Sequence, residues 1–263
     1  MDLNEIGLLD DADIDLVEAG IALASAGVPD ADPGPLRRLL NGWAMALHND
    51  PAPVSGQARA RRLSGLIAGD AGITGATEDY ENPLNADLLA VARRQRGLPV
   101  ALSILYVALA RRVGWQADAL NLPGHVVVEV AGGLAPALLD PFDHGICITR
   151  ARALDIARHA GGTVQAGFEA MSNRQILVRL VTNQASRARA AGEVRHALTL
   201  HERMCIIAPG LPSLWWERAR LEQLLGLNTA ARASLAAMLE TTHDSGMTQR
   251  IHAALAALAR SDS

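Results

Sequence analysis

The chain has 263 residues, 49% of them apolar and 20% charged, and a formal charge of -4 at neutral pH. These proportions exclude a disordered polyelectrolyte and allow an ordinary buried core, and the length suits one large domain or two modest ones. The 24 basic residues are dispersed, which argues against a dedicated nucleic-acid surface, and 3% aromatics amid recurrent Ala, Leu and Arg favour helix over strand.

Cys147 and Cys205 form no CxxC or other metal spacing, and two cysteines are too few for a secreted disulfide scaffold. The acidic start, prolonged to Asp15, lacks the positive charge of an export signal. Gly97–Ala110, the longest apolar run, lies between Arg96 and Arg111 and falls short of the roughly 20 residues a bilayer requires. The expectation is a cytoplasmic protein with no membrane or nucleic-acid partner, and no residue pattern implies a cofactor.

In chain order, Asp13–Ala26 carries apolar residues at helical spacing and stops at Gly27 and Pro29. A second helix follows Asp32-Pro33 with Leu36, Leu39, Leu40, Trp43, Ala44 and Leu47, then a turn-rich stretch from Asn49 to Gly56. Arg59–Ile67 is helix-compatible, and Gly69–Gly75 reads as a tight loop. Another helix is predicted over Asn85–Ala92. Gly97-Leu98-Pro99 then introduces the most apolar helix, with proline at the first helical position, ending at Val113-Gly114.

Beyond Gly114 the pattern turns to strand: Gln116–Leu120, Val126–Val130 and Pro136–Asp140. Gly132-Gly133 is a strong hairpin signal, and a two-residue turn there places His125 directly opposite Asp140, with Cβ atoms about 4.5–5.5 Å apart. Pro136 restricts the second strand to an edge or a non-bonding position.

From Asn173 the chain returns to helix. Ala185 and Ala219, Gly192 and Gly226, Ala197 and Ala231, and Met204 and Met238 are each 34 positions apart, the tetratricopeptide period. Pro209 and Pro212 fall where two repeats would join, ahead of Trp215-Trp216. The predicted organisation is a core over 1–172 with a helical lead-in, then a tetratricopeptide-like region over 173–263, in an α+β fold.

Arg93–Ser103, Pro123-Gly124-His125 and Leu139-Asp140-Pro141-Phe142 resemble the SirB1 family. Gly72–Gly75 with Asp79-Tyr80, Pro83 and Asn85 extends the similarity upstream. That family is similar to the transglutaminase and papain-like superfamily, in which a Cys at the start of a central helix works with a His and an Asp on following strands. The helix N-terminus and the His stabilise the thiolate, and the Asp orients the imidazole. The resemblance puts His125 and Asp140 at the second and third positions. Counting back from Gly114, the cysteine position falls on Pro99, which has neither nucleophile nor N–H.

Ser103 offers a substitute hydroxyl one turn further on. It lies inside the helix, away from the free N–H groups, where a serine ordinarily bonds to backbone. Tyr80, Asn85, Arg96 and Pro99 are candidate binding residues; packing under the loop, or a solvated helix face, would equally explain them. His144 and Cys147 with His125 have metal-like spacing, but loop residues after a strand usually turn or cap, so no metal site is assigned.

Three functions follow. The leading one is a non-catalytic or cryptic transglutaminase-like protein that binds a peptide or protein partner in a regulatory role. The second is a hydrolase or acyltransferase using His125 and Asp140, with Ser103 or water as nucleophile. The third is a structural scaffold in which the pair only holds a hairpin.

Overall fold

The computed structural model describes all residues except 29, 50–52, 162–167 and 262–263. The stop at Pro29 and part of the turn expected over Asn49–Gly56 lie outside the described residues. The chain forms two compact units: one is Asp10–Leu180, and the other joins Met1–Leu9, with its short helix α1 (Leu3–Leu8), to Val181–Ser263.

The unit Asp10–Leu180 is α+β. Its helical lead-in comprises α2 (Leu16–Ser25), α3 (Gly34–Asn49) and α4 (Gly56–Ser64). Asp15 caps α2 by accepting from the Val17 and Glu18 N–H groups, and Ser55 caps α4 through the Ala58 N–H. The chain continues from α4 through a π-helical turn, Gly65–Asp70, into β1 (Thr74–Gly75). The tight loop expected over Gly69–Gly75 is therefore the end of one element and the start of another. After a 3₁₀ turn (Pro83–Ala86) come α5 (Leu88–Arg94) and β2 (Arg96–Gly97), which pairs in parallel with β1. The helix expected from Asn85 begins later because Asn82 caps the 3₁₀ turn and Asp87 caps α5 separately.

The central helix α6 (Pro99–Arg112) is buried along almost its whole length, because other helices and the main sheet cover it on several sides. It has no solvent face to mark with polar residues, which is why it reads as a continuous apolar run. Pro99 occupies its first turn, where the missing N–H costs nothing. The preceding Leu98 is tied down by its own N–H, which donates to the Asn85 carbonyl at 2.8 Å.

The main sheet is antiparallel in the order β3 (Ala117–Leu122), β4 (His125–Val130), β5 (Ala137–Asp140), β6 (Ile146–Ile148). Pro123-Gly124 makes the two-residue turn between β3 and β4, with Gly124 at φ +68°. Beyond β6, α7 (Arg150–His159) packs Ala153 and Ala157 against Leu120, Leu122 and Val127 of the sheet.

The hairpin expected at Gly132-Gly133 has a different register. Val128 opposes Leu139 and Val130 opposes Ala137, so residues 131–136 connect the strands. The glycines serve a close approach instead: the Gly132 carbonyl accepts from the Gly56 N–H at 2.9 Å, and a Cβ on Gly132 would lie 2.7 Å from that nitrogen. The start of α4 occupies the space that a two-residue turn would have left open. His125 is thus not directly opposite Asp140. The shift is two residues, so both side chains keep the same face and meet diagonally. The segment read as loop after Asp140 contains β6, with Cys147 opposite Leu139.

In the other unit, the segment from Val181 continues the helix α8 (Asn173–Ala190), followed by α9 (Val194–Ile207), α10 (Pro212–Leu224), α11 (Asn228–Thr241) and α12 (Ser245–Ser261). The residues spaced by 34 take matching places: Gly192 and Gly226 leave helices at φ +78° and +72°, and Ala185, Ala197, Met204, Ala219, Ala231 and Met238 are buried in successive helices. Trp215 and Trp216 pack against a cluster that includes Ala231, Leu235 and Met238. No helix among the described residues is long and apolar enough to cross a membrane.

Candidate functional site

The turn Asp140–Gly145 ends β5 and is organised by one carboxyl oxygen. Asp140 Oδ1 accepts from His125 Nε2 at 2.8 Å, from the Phe142 N–H at 3.0 Å and from the Asp143 N–H at 3.3 Å. The Asp140 carbonyl accepts from Gly145 N–H at 2.8 Å. Asp140 is 4% exposed. Two roles therefore fall on one side chain: it folds its own turn and it fixes the His125 ring. With the carboxylate accepting, Nε2 is the donor, and in the neutral ring Nδ1 keeps its lone pair. Nδ1 has no hydrogen-bond partner among the described residues.

An aromatic ladder flanks the imidazole. Phe142 meets His125 edge to face at 6.0 Å between centroids, and Tyr80 meets Phe142 in the same manner at 5.8 Å. Phe142 is seated by Gly75, whose N–H donates to the Phe142 carbonyl and whose missing side chain admits the ring.

Asn85 is fully buried and builds the floor on which α6 starts. Its amide donates to the Asp79 carbonyl at 2.7 Å and its side-chain oxygen accepts from Arg94 at 2.8 Å, while Arg94 also pairs with the Asp79 carboxylate. Burial opposes ionisation of Asp79, but the hydrogen bond and charge of Arg94 outweigh it, so its carboxyl sits below the ordinary range. Of the three arginines before α6, Arg94 is the one that meets this carboxylate. Arg96 is exposed and reaches the Gln95 carbonyl at 3.0 Å and Thr74 Oγ1 at 3.4 Å.

Ser103 is 0% exposed, and its hydroxyl donates to the Pro99 carbonyl at 2.8 Å. Two turns along α6 from Pro99, Tyr106 is also fully buried, and among the described residues its hydroxyl makes no well-formed hydrogen bond, although the Ser64 hydroxyl lies close by. Burial pushes this phenol up, opposed by the Ser64 hydroxyl and reinforced by the Asp140 charge. Gly145, at φ +66°, lets the phenol oxygen approach its backbone. Cys147 is raised by burial, and Cys205, in the other unit, is pushed up to about 12 by the same cause. No group of three His, Cys, Asp or Glu side chains gathers among the described residues.

The family model of the transglutaminase-like superfamily matches residues 36–182, the segment that holds α6, the sheet and every residue of this site. The chain belongs to that superfamily. It is 24% identical over 255 residues to a UPF0162 protein of Xylella fastidiosa strain 9a5c, covering 93% of this chain and 91% of that one, and equally to its counterpart in strain Temecula1. A shorter similarity, 36% over 66 residues, links 25% of the chain to 10% of the mouse protein F-box only protein 21.

The sequence singled out His125, Asp140, Tyr80, Asn85, Arg96, Pro99 and Ser103, and the structure brings His125 and Asp140 together. Pro99 starts α6 and Asn85 holds the Leu98 N–H before it, Arg96 stays exposed on β2, and Tyr80 joins the pair through Phe142. Sequence reasoning missed Tyr106 and Arg179. Tyr106 follows Pro99 and Ser103 at i+7 and i+3 on one face of α6, a spacing that could have exposed it. Arg179 lies far along the chain, and no local pattern distinguishes it.

Proposed function

We propose that this chain is a transglutaminase-like protein without a covalent nucleophile, a regulatory pseudoenzyme of the SirB1 kind, whose His125–Asp140 site binds a peptide or protein partner. The observation that carries the reading is Pro99 in the first turn of α6, where the resemblance locates the reactive cysteine. Proline offers no thiol and no N–H to a developing oxyanion. Neither cysteine replaces it: Cys147 is on β6 and Cys205 is in the other unit. The Ser103 hydroxyl is committed to backbone. A partner would use the lone pair of Nδ1 together with the Tyr80–Phe142 ladder. The matched helix pairs beyond Val181 support a tetratricopeptide-like region that offers a second contact surface, and a cytoplasmic location accords with two free cysteines.

A hydrolase or acyltransferase is the second reading, favoured by one feature: an Asp-oriented imidazole with an unpartnered Nδ1 is arranged as a general base. Labelling with serine- and cysteine-directed acylating probes separates the two. Wild type, His125→Ala and Ser103→Ala are expected to give the same labelling. Modification of one residue that vanishes in His125→Ala would establish a nucleophile and overturn the leading reading.

A further inference from the structure

Arg179 is carried by α8 within the unit Asp10–Leu180, and its guanidinium grips the turn that delivers His125. One terminal nitrogen donates to the Leu122 carbonyl at 3.3 Å and to the His125 carbonyl at 3.1 Å, and the other to the Asn121 side chain. The residue is half-buried, and burial lowers its pKa, partly offset by the charge interaction with Tyr80.

These contacts hold the backbone of His125, while Asp140 fixes the Nε2 end of its ring. The ring also meets Phe142, which meets Tyr80.

We propose that Arg179 is a positioning residue for the His125–Asp140 pair, the element that holds the imidazole where Nε2 meets Asp140. The proposal rests on the pair being the working site. A lysine could supply charge but not the fork that reaches two carbonyls and an amide together.

The test is direct observation of the His125 tautomer by ¹⁵N NMR of the full chain with labelled histidine, the signal being assigned by its loss in His125→Gln. In wild type the Nε2–H form is expected to dominate. Arg179→Gln should reduce the ratio of Nε2–H to Nδ1–H by about tenfold or more, the scale set by losing one charge-assisted hydrogen bond. Arg179→Lys should fall between the two, and guanidinium ion added to Arg179→Ala should restore the ratio. Arg111→Gln is the control: Arg111 binds the Ala117 carbonyl, Asn173 and Asp118 at the opposite end of β3, so its loss should destabilise the fold and leave the tautomer alone. An unchanged ratio in Arg179→Gln, or an equal fall in Arg111→Gln, would overturn the proposal. If Arg179→Gln does not fold, Arg179→Lys carries the test, and a wild-type ratio there is equally fatal. The readout uses no probe or partner, so it stands or falls separately from the acylation experiment.

Discussion

Replacing Asp140 separates what its charge does from what its shape does. In Asp140→Ala three accepted hydrogen bonds disappear, from His125 Nε2, Phe142 N–H and Asp143 N–H, the last being the longest at 3.3 Å. At about 1 kcal/mol net for each, more for the charge-assisted bond and less for the long one, the loss comes to about 3 kcal/mol. Asp140→Asn keeps an oxygen in the Oδ1 position, so both backbone donors and the imidazole N–H can still be met, and the loss is about 1 kcal/mol. For a unit of this size 1 kcal/mol shifts Tm by roughly 2–4 °C. Thermal unfolding followed by circular dichroism should therefore drop by about 6–12 °C in Asp140→Ala and about 2–4 °C in Asp140→Asn. If the alanine variant melts within a degree of wild type, Asp140 does not organise its turn. If the asparagine variant is as damaged as the alanine one, charge rather than acceptor geometry holds the turn together.

Three other outcomes follow from the same structure. Tyr106→Phe removes a buried hydroxyl with no well-formed hydrogen bond among the described residues, so its Tm should be unchanged or rise by roughly 2–4 °C, the equivalent of about 1 kcal/mol; a clear fall would mean that the hydroxyl is bonded in solution, with the Ser64 hydroxyl as its neighbour. The Asp79 carboxyl is held below its unfolded value, so its pairing with Arg94 is fully expressed above about pH 4 and is lost as pH falls through the lower folded value. The Tm difference between wild type and Arg94→Gln should accordingly be wide at pH 7 and narrow by pH 3, and a constant difference would refute the linkage. Pro99→Cys places a thiol in the first turn of α6, at a position that is buried, where the helix N-terminus favours the thiolate and where the resemblance expects His125 to reach it. Its alkylation by iodoacetamide at pH 6 should exceed that of an ordinary cysteine by about tenfold, from the Cys pKa range at such sites, and fall when His125 is also replaced by Ala; a rate equal to a free thiol would show that residue 99 is not the nucleophile position.

Legibility in the sequence followed the range of the forces involved. The central helix declared itself because Pro99 and Gly114 punctuate an apolar run, and β4 because Val126–Val130 is rich in β-branched residues. Boundaries were lost where two local signals compete: Asn82 and Asp87 each cap a separate turn, so one expected helix became two elements. The Gly132-Gly133 pair was misread because glycine serves both a tight turn and a close approach, and only the position of α4 decides between them. The His125–Asp140 contact survived that error because a slip of two residues preserves the face of a strand. Arg179 could not have been found, since a guanidinium meeting carbonyls more than fifty residues away leaves no trace in local pattern.

Asp140 is required by its own turn, since it accepts from Phe142 and Asp143 whether or not His125 has work to do. His125 in turn gains an acceptor for a ring that is 12% exposed and would otherwise lose a bond to water. Proline at the start of α6 is also locally favourable, because its fixed φ suits the first helical turn and its absent N–H would have been unpaired there. Each member of the remnant is therefore stable on local grounds, and an intact His–Asp pair cannot by itself be counted as evidence of chemistry. What local stability does not explain is the other side of the imidazole: Nδ1 has no hydrogen-bond partner among the described residues, beside two aromatic rings that meet edge to face, in a residue held at its ring by Asp140 and at its backbone by Arg179. A structural role needs only the Nε2–H donor to Asp140 and leaves Nδ1 without a task. The decisive contrast is thus between variants that disturb the orientation of the ring and variants that disturb only the stability of the unit.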